Sequence, residues 1–126
     1  MNYTTYEDAR SLASRAADIV QSEVESGTRV ALGLAGGSTP RATYEALASR
    51  DIDWSKTAAW LTDERWVPPM HPDSNQRMVR EALVTSSSVQ FLRPDTTLRS
   101  PAAAADRLTD VLTLGPAHTS PRVTLP

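Results

Sequence analysis

The chain has 126 residues, with 13 Lys/Arg against 15 Asp/Glu, a formal charge of −2 and no cysteine. That length suits one domain with one core. The mixed charge leaves no basic footprint for nucleic acid and no polybasic stripe for a membrane, and the missing thiols exclude disulfides, thiolate nucleophiles and cysteine metal sites.

From about Tyr6 to Ser26 the pattern is helical, with Leu12, Ala16, Ile19, Val20 and Val24 on an apolar stripe. Gly27 is placed to end that helix by taking a left-handed conformation. The opening residues hold no basic region leading into an apolar one, so no signal peptide is expected. The longest apolar stretch, Val30–Ala35, is far short of the ~20 residues that span a bilayer, and a cytoplasmic location is expected.

Arg29 to Ala35 is a short apolar run that suits a buried strand. Gly36-Gly37-Ser38-Thr39 then leads into Pro40, which is favoured at a first helical position, with Ser38 or Thr39 as the capping residue. Tyr44, Leu47 and Ala48 give this helix an apolar side. A second strand is expected at Thr57–Thr62, and strand, helix, strand at this spacing predicts a right-handed crossover between parallel strands. Another helix is expected from about Ser74 to Leu83, with Met78 and Leu83 inward. Thr85–Ser88 reads as a loop, and Pro101–Val111 as an alanine-rich helix entered after Ser100. The last fifteen residues, which hold Pro116, Pro121 and Pro126, give no element. The fold class is α/β: three layers around a mostly parallel, Rossmann-like sheet with flanking helices.

A strand that ends in Gly-Gly-Ser-Thr-Pro and opens a helix directs free backbone N–H groups and the helix dipole at one point, where a phosphate fits. Glycine at 36 and 37 leaves room for close approach, and the Ser38 and Thr39 hydroxyls can add donors. The loop has neither the nucleoside-triphosphate nor the dinucleotide glycine pattern. A plain strand-to-helix turn explains the same residues about equally well. Asp63-Glu64-Arg65-Trp66-Val67-Pro68 ends the second strand and opens onto the same sheet edge. An arginine there can hold a phosphate or carboxylate through two parallel hydrogen bonds, while the carboxylates accept sugar hydroxyls or hold the arginine. A surface ion pair with Trp66 as local packing is the competing reading. With two histidines and no His-x3-His pair, no metal site is expected.

Taken together, Gly36–Pro40, Asp63–Pro68 and His71-Pro72-Asp73-Ser74-Asn75-Gln76-Arg77-Met78 resemble the 6-phosphogluconolactonase family, over roughly residues 6 to 84. The related glucosamine-6-phosphate deaminases share the glycine loop. Their second motif typically reads Asp-Glu-Tyr, followed by a Ser-Tyr step, so Arg65-Trp66 and Ser74-Asn75 favour the lactonase branch.

The resemblance implies hydrolysis of 6-phospho-D-glucono-1,5-lactone without metal or organic cofactor, on a small-molecule sugar phosphate. It also implies phosphate contact from Gly36, Gly37, Ser38 and Thr39, with Arg65 reaching the same substrate and Asp63 and Asn75 shaping the sugar pocket. Arg77 is a further candidate for the anion, though a helix-surface arginine is more often solvated. His71, before a proline, reads as structural or exposed.

Family members are much longer and carry beyond their middle a motif whose histidine is the presumed general base. The nearest counterpart is Leu114-Gly115-Pro116-Ala117-His118-Thr119-Ser120-Pro121, which makes His118 the candidate base. Pro121–Pro126 alternatively resembles a still later family segment. Residues 1–126 therefore read as one partial sugar-phosphate-binding domain, well matched over 1–84 and divergent over 85–126. Such an incomplete sheet would expose an edge that invites self-association, with Trp54, Trp60 and Trp66 partly exposed.

Overall fold

The computed structural model describes residues 5–114. Helix α1 (Ala9–Val24) is started by Asp8, whose carboxylate accepts the Ser11 N–H at 2.7 Å. That bond holds the Asp8 carboxyl below its ordinary range. The buried face of α1 is Ala13, Ala17 and Val24, with Val20 packed against it. Leu12 and Ile19 of the expected stripe are exposed instead. The small Ala13 and Ala17 let α1 sit close to its neighbour, and the register of that contact selects the face. Gly27 does adopt a positive φ of 90°, after the cap residue Glu25.

Strand β1 (Val30–Leu34), helix α2 (Ser38–Ala48), strand β2 (Thr57–Leu61), helix α3 (Asn75–Ala82), strand β3 (Gln90–Leu92) and helix α4 (Pro101–Leu114) follow in order. The strands form a parallel sheet in the order β1-β2-β3, with Leu34 opposite Leu61 and Ala59 opposite Phe91. Because side chains alternate across a strand, Leu34, Leu61, Ala59 and Phe91 share one face. There they form the main core with Ala17 and Val24 of α1, Tyr44 and Leu47 of α2, and Val79 and Ala82 of α3. On the opposite face Ala58 and Leu92 pack with Val111 of α4, with Trp60, Leu108 and Leu112 against them. Helices, sheet and helix make the three layers.

β1 is not the fully buried strand its composition suggests. It forms an edge, and Ala31 and Gly33 on the α4 side are exposed. Trp54 is buried, Trp60 is half-buried and Trp66 is exposed. Arg50 staples α1 to the end of α2, its guanidinium donating to Asp18 at 2.8 Å and Gln21 at 3.1 Å. Among the described residues no helix is long and apolar enough to cross a membrane.

Candidate functional site

The carboxyl ends of β1 and β2 carry the two sequence motifs side by side. α2 begins at Ser38 with Gly37 as its cap, so Pro40 is the third helical residue rather than the first. No side chain caps this helix; Gly37 makes the turn at φ 107°, a conformation that side-chain-bearing residues rarely adopt. The first helical bond is from Arg41 N–H to the Gly37 carbonyl at 3.1 Å. Pro40 carries no N–H, and first-turn geometry leaves the Ser38 and Thr39 N–H groups without intrahelical acceptors. Both residues are exposed. The loop is anchored from below by Tyr44, whose hydroxyl donates to the Ala35 carbonyl at 2.7 Å and accepts the Ala35 N–H at 2.8 Å. Burial pushes the Tyr44 phenol above its ordinary pKa, against the opposing effect of the bond to Ala35.

Beyond β2, Asp63, Arg65 and Trp66 are exposed. Arg65 donates to the Asp73 carbonyl at 3.0 Å, which spans the turn between the second and third motifs. Asn75 opens α3 behind Ser74, whose hydroxyl accepts the Arg77 N–H. The Asn75 amide donates to the Asp63 carbonyl at 3.2 Å and lies against Gly36, where an added Cβ would come within 2.3 Å of the amide oxygen. Packing against Asn75 therefore calls for glycine at 36. Asn75 brings the glycine loop and the Asp63 segment together while being buried itself. Arg77 pairs with Glu81 at 2.9 Å and donates to the Met70 carbonyl at 3.3 Å. His71 is exposed and its Nδ1 accepts the Asp73 N–H, a turn-forming contact. His118 lies outside the described residues.

Sequence pattern alone does not mark Glu64 as a site residue. Its carboxylate accepts the N–H groups of Arg65, Asn75 and Gln76 and the Ser74 hydroxyl, all at 2.7–2.9 Å. The signal in the sequence was an acid placed a short loop before a Ser-Asn helix start, where an anion complements the dipole. A cavity of about 220 Å³ opens beside it, between the end of β2 and α4, lined by Asp63, Trp66, Pro94, Thr96 and Leu108 among others. Gln76 ties α3 to the segment after β3 through the Pro94 carbonyl at 3.1 Å.

The architecture defines a class: a parallel α/β sheet whose carboxyl edge presents a glycine turn opening a helix, the place where such sheets bind ligands. The family profile of glucosamine-6-phosphate isomerases/6-phosphogluconolactonase matches residues 4–125. The chain belongs to that family. It is 39% identical over 103 residues to a 6-phosphogluconolactonase of Xylella fastidiosa, covering 78% of this chain and 43% of that protein. A crystal structure of a 6-phosphogluconolactonase from Shewanella baltica matches with a TM-score of 0.77 at 29% identity, over 88% of this chain and 50% of that one. A monomeric glucosamine-6-phosphate deaminase matches with a TM-score of 0.80 at 20% identity, over 91% of this chain and 52% of that one, a likeness of fold alone. The chain spans about half the length of the relatives it matches.

Proposed function

We propose that this chain carries the phosphate-binding half of a 6-phosphogluconolactonase site and that its ligand is a 6-phosphorylated aldonic acid or lactone. The supporting observation is the junction of two motifs. Gly36–Thr39 open α2 with free N–H groups, and Asn75 locks that loop against the Asp63 segment. In this reading the phosphate sits on the Ser38 and Thr39 N–H groups. Arg65 reaches the same anion after releasing the Asp73 carbonyl, Asp63 faces the sugar hydroxyls, and Arg77 lends positive potential. Asn75 shapes the pocket from behind the loop. Residues 1–126 act as one unit.

The chemistry is ester hydrolysis. A base takes a proton from water as the oxygen adds to the lactone carbonyl, and the ring oxygen leaves and is protonated, giving the open acid. The phosphate is a remote handle that orients the ring. By resemblance His118 is the base.

A second reading is a sugar-phosphate-binding chain without turnover, since the one histidine among the described residues, His71, is engaged in a turn contact with Asp73. Calorimetric titration with 6-phosphogluconate, beside gluconate lacking the phosphate, tests the site. Phosphate-dependent binding is expected, and equal behaviour of the two ligands would overturn the assignment. Acid release from freshly prepared 6-phosphogluconolactone, corrected for the spontaneous rate, separates the two readings.

A further inference from the structure

The residue that organises this edge of the sheet is Glu64. Its Oε1 accepts the Asn75 N–H at 2.7 Å and the Arg65 N–H at 2.8 Å, while Oε2 accepts the Gln76 N–H at 2.8 Å and the Ser74 hydroxyl at 2.9 Å. Two of these donors belong to the first turn of α3, whose N–H groups lack intrahelical partners. A carboxylate from the end of another strand satisfies them, and charge-assisted bonds of this kind are stronger and shorter than neutral ones. With four donors on two oxygens, the group is committed to the protein rather than to a ligand.

What it fixes is Asn75. The Asn75 main chain is bound by Glu64, and its amide is bound to the Asp63 carbonyl and fills the space beside Gly36. A shift of the α3 start would therefore move the amide either into the glycine loop or away from it. We infer that Glu64 is a positioning residue for the phosphate loop. It touches no substrate, and through Asn75 it sets where the Gly36–Thr39 donors stand relative to the Asp63–Arg65 segment. The effect on ligand affinity rests on the proposed phosphate site; the effect on the loop does not.

The test uses the isotope-labelled full chain, with inorganic phosphate and 6-phosphogluconate as probes. Glu64→Gln keeps the shape but turns one acceptor into a donor facing the Gln76 N–H. It should shift the amide resonances of Gly36 and Gly37 and weaken 6-phosphogluconate by about tenfold, as loss of an outer-shell partner does at other ion sites. Arg50→Ala is the comparison. It removes the staple between α1 and α2, lowers thermal stability, and should leave those amides and the affinity unchanged. Asn75→Ala keeps every backbone bond to Glu64, removes the amide beside Gly36, and should move the same loop resonances, which serves if Glu64→Gln fails to fold. Folded variants with unmoved Gly36–Thr39 amides overturn the inference, as does an equal loss of affinity in Arg50→Ala. If the native chain binds neither probe while Glu64→Gln still moves the loop, the positioning role stands and the phosphate assignment falls.

Discussion

Replacing Gly36 with Ala adds one methyl group where the structure has no room for it. The new Cβ would lie 2.3 Å from the Asn75 amide oxygen, 2.6 Å from Cγ and 2.7 Å from Nδ2. Gly36 does not have a positive φ, so the backbone itself tolerates alanine and the cost is steric. Restoring ordinary contact requires a movement of about 1 Å, and Asn75 has little freedom to supply it. Its amide is held by the Asp63 carbonyl and its main chain by Glu64. Overpacking of this kind costs roughly 1–3 kcal/mol. Losing the Asn75 to Asp63 bond adds roughly 0.5–1.5 kcal/mol. At roughly 3–5 °C per kcal/mol, between the values for smaller and larger domains, the melting temperature should fall by about 5 °C or more. Thermal melts followed by circular dichroism measure it, and a double-mutant cycle identifies the cause. Asn75→Ala removes the obstruction, so Gly36→Ala should cost much less in that background, with a coupling of roughly 1–3 kcal/mol. Costs that add to within about 0.5 kcal/mol would show that the two residues do not meet as described.

Gly37→Val places a β-branched residue at φ 107° and should abolish 6-phosphogluconate binding in a chain that still folds; unchanged affinity by calorimetry would remove the loop from the site. Arg65→Lys keeps the charge but loses the two-pronged donor, so affinity should fall, and equal titrations would make Arg65 a structural tie to the Asp73 carbonyl. Because burial raises the Tyr44 pKa, the phenol ionises more readily in the unfolded chain. Its contribution is present below about pH 10 and lost as pH rises through the folded value, so in urea melts taken above about pH 10 the Tyr44→Phe variant should lose less stability than the native chain. The chain by itself should show little lactonase activity above the spontaneous rate, and a robust rate abolished by His118→Ala would refute that.

Most of the fold was legible because its signals are local. Glycine and proline punctuate the strand-to-helix turn, and Thr57–Leu61 is an apolar run of strand length. The departures come from tertiary context. α1 buries Ala13 and Ala17 rather than Leu12 and Ile19, because close approach to a neighbouring helix favours the small side chains. β3 is three residues long between a serine-rich loop and a proline, too short to show alternation. Capping rules favour Ser38 or Thr39, yet a positive φ at Gly37 lets the helix begin one or two residues earlier without any side-chain cap. In the site, the motif residues were visible as a set, but their division of labour was not. Glu64 and Asp63 are adjacent acids in sequence. Only the position of α3 makes one of them a helix anchor and leaves the other exposed.

The sheet order β1-β2-β3 repeats the order of the strands in the chain. Each strand therefore pairs with the one just before it, and each intervening helix packs into the same core as it closes its crossover. Contacts of short sequence separation lower the loop-closure entropy that must be overcome before they form. The Val30–Leu61 crossover thus rests on contacts of short sequence separation, and α3 and β3 extend the same core by one further crossover. Glu64 takes most of its partners from Ser74–Gln76, so one side chain beyond the end of β2 holds the start of α3 across that second crossover.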